Sequence, residues 1–422
     1  MHRGRHPGVR PHSAGDLCSP GEPRNVAEGS GVYKLSFNLF FKVKSTQGNP
    51  FFHTFRLTTT MAQVYDVLIL GGGPAGLAMA TTLARQACSA LVIDGGTYRN
   101  ERAARMHNVP GFDHVPPADF RSKLRQDLEA RYPSISFQDA TTIVEVRQRV
   151  DSSSGGGYET MDAAAAAAAA TTHHIVQNVT AAEEKKKLAD ARFEARDEQG
   201  NVYHGRKLGI ATGVRDKVEE QVDGYADCWG RGIFHCLFCD GFEERGASSV
   251  GVLGVGLLSA APALSHVGLL AKRLASRITI YTNGDAALAA ALPAPSTASA
   301  TTVETRRITK LAMKDYPASS SVIVTLEDGT TREEGFLASH PWVEQGAPSL
   351  AAQLGLEMKD EAGGPLVVLK SPMGETSVPG CFAAGDAAAA MKSVVQALAT
   401  GQMAGAGMVF ELLRELQAKD EL

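Results

Sequence analysis

The chain has 422 residues, 42 Lys and Arg against 46 Asp and Glu, and a net charge of −4. That length exceeds one ordinary core, so two or three domains are expected. The mild acidity argues against a nucleic-acid or membrane-surface partner, and no run of about 18 apolar residues marks a membrane span. Of Cys18, Cys88, Cys228, Cys236, Cys239 and Cys381 only one pair is closely spaced, which excludes a secreted disulfide scaffold.

Residues 1–60 are rich in Arg, His, Pro, Gly and Ser, with eight Lys or Arg against three acids and no sustained period. Their best apolar run, Val32 to Val43, is broken by Lys34 and Lys42 and makes a poor signal-peptide core. The segment reads as a disordered or transit-like extension, with Met61 a natural initiator. Folded sequence begins with Val64–Leu70, a buried parallel-strand pattern. Gly71-Gly72-Gly73-Pro74-Ala75-Gly76 follows, then a helix expected from Leu77 to Arg85, then a strand Ala90–Ile93 ending on Asp94. This is the dinucleotide fingerprint in its full context. Gly71 permits the tight turn, Gly73 the approach of a pyrophosphate and Gly76 close helix packing. The helix N-terminus offers amides to phosphate, and Asp94 can accept from an adenosine ribose.

A helix is expected around Pro117–Tyr132 and a strand over Thr142–Val150. A low-complexity insertion at about 151–190 contains three serines, three glycines and the run Ala163–Ala170, and reads as an expanded hairpin loop. Strands resume at Arg192–Asp197 and Leu208–Ile210, ending in Ala211-Thr212-Gly213. The first nucleotide-binding unit thus spans 61–215. A second nucleotide-fold pattern covers 216–332: strand Val250–Leu253, Gly254-Val255-Gly256, a helix expected over Leu257–Leu270, and strand Ile278–Tyr281 ending on Thr282-Asn283-Gly284. Here the third glycine is missing and no acid or arginine ends the second strand; Arg273 and Arg277 precede it. Residues 333–418 return to the first unit. Cys381–Asp386 is a strand ending on Gly385 and Asp386, an acid suited to a ribityl or ribose hydroxyl. A small-residue helix over roughly Met391–Leu413 comes next. The last four residues, Lys419-Asp420-Glu421-Leu422, spell the ER-retrieval signal. With no convincing signal peptide the cytoplasm is expected, the ER lumen being the alternative.

The second unit opens on Phe234-His235-Cys236-Leu237-Phe238-Cys239-Asp240-Gly241. A CxxC is half a zinc site, a structural pair or a redox centre. A zinc ribbon needs a second CxxC, which is missing, so no metal is expected.

The order Gly71–Gly76, Ala211-Thr212-Gly213, Cys236–Asp240, Gly385-Asp386 resembles that of low-molecular-weight thioredoxin reductases, over roughly residues 62–418. It is most similar to the fungal thioredoxin-reductase-like dithiol oxidases of the gliotoxin type. The likeness lies in Leu237-Phe238 inside the CxxC, His107 after Asp94, His340-Pro341-Trp342 and the weakened second fingerprint. The resemblance implies an α/β fold of two Rossmann-like domains, the FAD domain discontinuous, and a homodimer. It places FAD on Gly71, Gly73, Pro74, Ala75 and Gly76, with Asp94 on the ribose. The loop Gly95, Gly96, Thr97, Tyr98 and Arg99 and His107 would line the cofactor, with Ala211 close by. Gly385 and Asp386 would face the ribityl chain, and Lys392, Ser393 and Val394 would open the helix at the flavin pyrimidine edge. A small-molecule dithiol would attack the disulfide at Cys236. Cys239, nearer the flavin in that family, would pass electrons to FAD and then to O2. His235 is the candidate base, against simple packing beside the disulfide, and Asp240 the candidate proton carrier, against a loop cap. The rival activity is an NADPH-dependent thioredoxin reductase.

Overall fold

The computed structural model describes residues 32–44, 50–149, 188–293, 300–361 and 363–421, with only the backbone described over 32–62. The alanine run and most of the low-complexity insertion lie outside the described residues, as do the first 31 positions and Leu422.

Two parallel sheets organise the chain. The first has seven strands. Ile135–Gln138, Ala90–Ile93, Val64–Leu70 and Val202–Ile210 lie side by side in parallel, followed by the antiparallel Phe193–Asp197 and Ile143–Gln148. Cys381–Ala383 pairs in parallel with Leu208–Ile210. The C-terminal part therefore completes the first sheet, as a discontinuous domain requires. Its central strands are near-continuous apolar runs because helices and the opposite core cover both faces. The helix Pro74–Ala84 packs on one face against the long helix Val394–Ala418, and the contact is made by small residues. A Cβ on Gly401 would stand 2.3 Å from the Ala75 carbonyl oxygen, and one on Gly405 would stand 2.9 Å from that of Met79.

The second sheet is parallel throughout, in the order Ile233–Phe234, Phe336–His340, Val250–Gly256, Ile278–Tyr281, Thr301–Glu304. The sequence reading starts the return to the first domain at 333. Phe336–His340 instead lies inside the second sheet, so the chain crosses back only after His340. An antiparallel three-stranded sheet, Ile308–Met313, Val322–Leu326 and Thr331–Glu334, feeds that strand, and Pro341 marks its end. The two crossings, Val214–Asp216 and Val343–Gln345, pair with each other antiparallel.

Element limits differ at their ends. Pro74 sits in the first turn of its helix, three residues before the expected start, where proline's missing amide costs nothing. The second glycine turn is followed by a helix over Ala261–Ala271, not from Leu257. The last helix runs Val394–Ala418, capped by Ser393. No regular structure was expected before residue 60, yet Val32–Lys44 and Pro50–Ala62 pair as an antiparallel hairpin that joins no other strand among the described residues. No described helix is long and apolar enough to cross a membrane.

Because Gly401 faces a backbone oxygen that cannot swing away, Gly401→Ala should destabilise the protein by about 1–3 kcal/mol, the usual range for overpacking. The midpoint of urea unfolding measures this.

Candidate active site

The first glycine turn is built as a cradle. Gly71 takes φ +113 beneath the Ala211 carbonyl, where a Cβ would come within 2.4 Å, and a Cβ on Gly76 would strike the Gly71 oxygen at 1.9 Å. Above Gly73, by contrast, a Cβ would meet nothing within 4 Å. Gly73 is the N-cap of Pro74–Ala84 and no side chain caps that end, so its first amides face open space. Beside it is a cleft of about 260 Å³ lined by Gly72, Leu77, Asp94, Tyr98, Arg121, Arg125 and Phe137, among others. The Tyr98 hydroxyl donates to Asp94, the Gly96 amide donates to the other carboxylate oxygen at 3.0 Å, and Arg121 lies 3.6 Å over the Tyr98 ring. Burial and the Asp94 hydrogen bond push the Tyr98 phenol up to about 12. An aromatic-walled cleft ending at a carboxylate and leading to uncapped amides suits the adenosine diphosphate half of FAD. The residues present fit that group. Gly95, Gly96 and Thr97 sit on the exposed rim.

Arg99 leaves this loop and points inward. It donates to Asp216 through Nε (3.0 Å) and Nη2 (2.8 Å), and to Asp386 through Nη1 (3.0 Å). Burial opposes the Arg99 charge, but the Asp216 and Asp386 carboxylates outweigh it and raise its pKa. Burial likewise works against the Asp216 carboxylate, and Arg99 reverses the balance and holds it below its usual range. Gly385, at φ +69, turns the chain so that its amide donates to Thr400 Oγ1 at 2.9 Å. Lys392 donates to the Ala389 carbonyl, and burial lowers its pKa. Ser393 caps the last helix by accepting from the Gln396 amide, so Val394 is its first residue.

The disulfide Cys236–Cys239 lies directly beyond the parallel strand Ile233–Phe234, at the carboxyl ends of the second sheet, where open α/β sheets bind ligands. Its Cα atoms are 5.2 Å apart. The amides of Cys239 and Asp240 both donate to the Cys236 carbonyl, at 3.0 and 3.1 Å, and close the turn. His235 stacks on Trp229 at 5.6 Å and meets His340 edge-on at 5.5 Å. Its ring is crowded by protein yet retains accessible surface, so it borders a recess and not the core. Crowding, then the Arg99 charge and His340, push its imidazolium down to about 3 against the pull of Asp216; the ring is neutral at working pH. Asp240 goes the other way. Burial, reinforced by Glu243 and Glu244 and partly opposed by His107, pushes its carboxyl up to about 6. Asp240 is therefore placed to exchange a proton near neutrality, whereas the surroundings of His235 keep its ring a neutral hydrogen-bonding group.

His107 is not near Asp94. Its Nε2 is 3.1 Å from His114 Nδ1 and 3.6 Å from Glu243 Oε1, across from the segment that follows the CxxC. Leu237 is buried in the second core with Val250, Ile278 and Phe336, whereas Phe238 is 71% exposed, so of the two only Phe238 offers apolar surface beside the disulfide. Cys228 and Cys381 are buried, with burial pushing their thiols up to about 11 and about 12. The same holds for Cys88. All three are inert thiols.

Sequence reasoning missed Asp216, Trp229 and His340 as neighbours of the disulfide. His340 carried a faint signal in its place before Pro341, and Asp216 and Trp229 carried none. The second glycine turn is closed. Leu257 donates its amide to the His340 carbonyl at 2.8 Å, and a Cβ on Gly256 would stand 2.3 Å from that oxygen. Asn283 accepts from the Ile308 amide at 2.8 Å. Arg306 and Arg332, on neighbouring elements, are engaged by the buried Glu304.

Two Rossmann-type sheets, one open glycine cradle and a cysteine pair at a strand end define a disulfide oxidoreductase. The chain belongs to the pyridine nucleotide-disulphide oxidoreductase family, whose sequence profile matches residues 65–401. Thioredoxin reductase aclD of Aspergillus oryzae is 39% identical over 360 residues, covering 85% of this chain and 99% of that protein. Thioredoxin reductase tcpT of Claviceps purpurea is 36% identical over 365 residues, covering 86% and 98%. Among solved structures, an oxidoreductase from Agrobacterium tumefaciens superposes with a TM-score of 0.63 at 26% identity, covering 83% and 99%. The family is typically FAD-dependent.

Asp240 has a stability consequence. Its folded pKa of about 6 lies above the ordinary 3.8, so its favourable contribution is full below pH 3.8 and is lost as pH rises through 6. Asp240→Asn should therefore be more stable than the parent at pH 7.5, by on the order of 1 kcal/mol, and equal to it near pH 4. Denaturation midpoints at the two pH values measure this.

Proposed function

We propose that this chain oxidises a small-molecule dithiol to a disulfide through Cys236 and Cys239, with FAD and then O2 as electron acceptors, O2 leaving as hydrogen peroxide. The substrate is of the epidithiodiketopiperazine type, in secondary-metabolite biosynthesis or self-protection. The observation that carries the direction of electron flow is the closed second glycine turn, where the His340 carbonyl holds the Leu257 amide that a nicotinamide cofactor's pyrophosphate would need.

One substrate thiol loses its proton to water, with the neutral His235 ring as the adjacent hydrogen-bonding group that orients it, and the resulting thiolate attacks Cys236 Sγ, breaking the Cys236–Cys239 bond. Cys239 leaves as a thiolate, with Asp240 buffering protons at the pair. The second substrate thiolate then attacks the substrate sulfur of the mixed disulfide and expels Cys236. Substrate has lost two electrons and two protons, and the cysteine pair has gained the electrons. FAD, which the Gly71–Gly76 cradle and the cleft at Asp94 would hold, would supply the two-electron acceptor between the cysteine pair and O2. Exposed Phe238 and Phe242 give an apolar rim for a compact hydrophobic substrate.

The names of the relatives favour a second reading, an NADPH-dependent thioredoxin reductase. The homodimer stays within this proposal; the last helix leaves Val395, Met403, Phe410 and Leu413 exposed on a face open to a second copy. For localisation we favour the cytoplasm. Lys419, Asp420 and Glu421 fold back on the last helical turn through amides bonded to Leu416 and Gln417, and Lys419 pairs with Asp190 at 2.9 Å, whereas a retrieval signal is read from a free tail.

Mixed anaerobically with NADPH, the flavin-loaded protein should keep its oxidised spectrum, and with small dithiols in air it should consume O2. Rapid bleaching by NADPH establishes the reductase instead. Cys236→Ser should lower dithiol-driven O2 consumption by roughly 10³-fold or more. In Asp240→Asn the kcat/KM profile should lose its inflection near pH 6.

A further inference from the structure

We propose that His107, His114 and Glu243 form a binding site for a divalent zinc-class cation beside the redox disulfide. The three donor atoms lie within 4.8 Å of one another. Zinc bonded at about 2.0–2.1 Å in tetrahedral geometry holds neighbouring ligand atoms about 3.3–3.4 Å apart. The separations from His107 Nε2, 3.1 Å to His114 Nδ1 and 3.6 Å to Glu243 Oε1, bracket that value. The second is too long for a direct hydrogen bond, so hydrogen bonding alone does not account for the convergence of all three groups.

His114 presents Nδ1 to the site, and its Nε2 faces the neighbouring Asp113 carboxylate at 3.5 Å, an ion-pair separation beyond hydrogen-bond length. Asp113 also accepts from the Asn108 amide at 2.9 Å, and His114 is held at φ +62, a conformation that costs a non-glycine residue energy. The loop is thereby folded back so that the two rings meet at 4.6 Å. Two imidazoles and one carboxylate select zinc, cobalt, nickel or copper over magnesium and calcium. Three protein ligands leave a fourth position for water or a thiolate. His107 and His114 belong to the first domain and Glu243 follows the CxxC, so the bound cation would pin the disulfide segment to the FAD side. This inference does not depend on the dithiol-oxidase reading.

The test is equilibrium binding of Zn2+ and Co2+ to tag-free, flavin-loaded protein with Cys236 and Cys239 oxidised, so that their thiolates cannot serve as ligands. The expected result is one cation per chain, with a Co2+ visible spectrum of nitrogen and oxygen coordination. Loss of even an outer-shell partner costs metal sites roughly 10–100-fold. His114→Asn, which tolerates the left-handed backbone, and Glu243→Gln should each weaken binding by at least that much while keeping the flavin spectrum and far-UV circular dichroism. Absence of stoichiometric binding, or binding that survives both substitutions, overturns the proposal. Binding that appears only after the disulfide is reduced overturns it too, because the cysteines are then the ligands.

Discussion

The buried guanidinium of Arg99 is the interaction on which the arrangement of the site depends. A charge taken from water is tolerated only when its partners are in place, and removing one partner strands the rest. Arg99 comes from the loop after the first acid, Asp216 from the crossing strand and Asp386 from the short helical turn that follows the strand returning to the first sheet. One side chain thus ties together three pieces of chain brought near only by the finished fold. Its charge also reaches the residue before the disulfide, where, after the crowding of the ring by protein, it is the next influence that disfavours a charged His235.

The two glycine turns show how the same motif diverges in use. In the first, the strand ends at Leu70 and the helix begins at Pro74, so three glycines alone separate sheet from amide-bearing helix end. In the second, both glycines lie within the strand Val250–Gly256 and the helix waits until Ala261. The intervening Leu257–Ala260 turn is held by hydrogen bonds to His340, Val255 and Gly256. Its amides serve the fold, and the fold in turn places His340 against His235. The amide of Leu257 thereby holds the strand end that carries His340.

The first cradle was legible in the sequence because its information is local: strand, turn, helix and acid follow within a few dozen residues, each with its own compositional mark. The CxxC was legible for the same reason. The Arg99 network was not, because the partners of a buried charge are set by strand order, which periodicity does not reveal. The domain crossing after His340 was missed because Phe336–His340 is a short apolar run whose sheet is decided by pairing with Val250–Gly256. His107 was read as a cofactor-loop residue from its place after Asp94. Its true neighbours, His114 and Glu243, meet it through a strained turn and a second lobe, and neither had a pattern to announce it.

Thiol–disulfide exchange needs one group that accepts a proton from a weak acid and another that shares protons with the thiolates it creates. Two identical residues in one environment cannot do both. Here the separation comes from what surrounds each group. Burial is the chief cause for both: at His235 it is joined by the Arg99 charge and His340, which disfavour positive charge, and at Asp240 by Glu243 and Glu244, which disfavour negative charge against the pull of His107. Both groups are thus pushed toward their neutral forms on either side of the same cysteine pair. Neutral side chains cost less to cover with an apolar substrate than charged ones, which is what the proposed dithiol-oxidase reading requires of the groups next to Cys236 and Cys239.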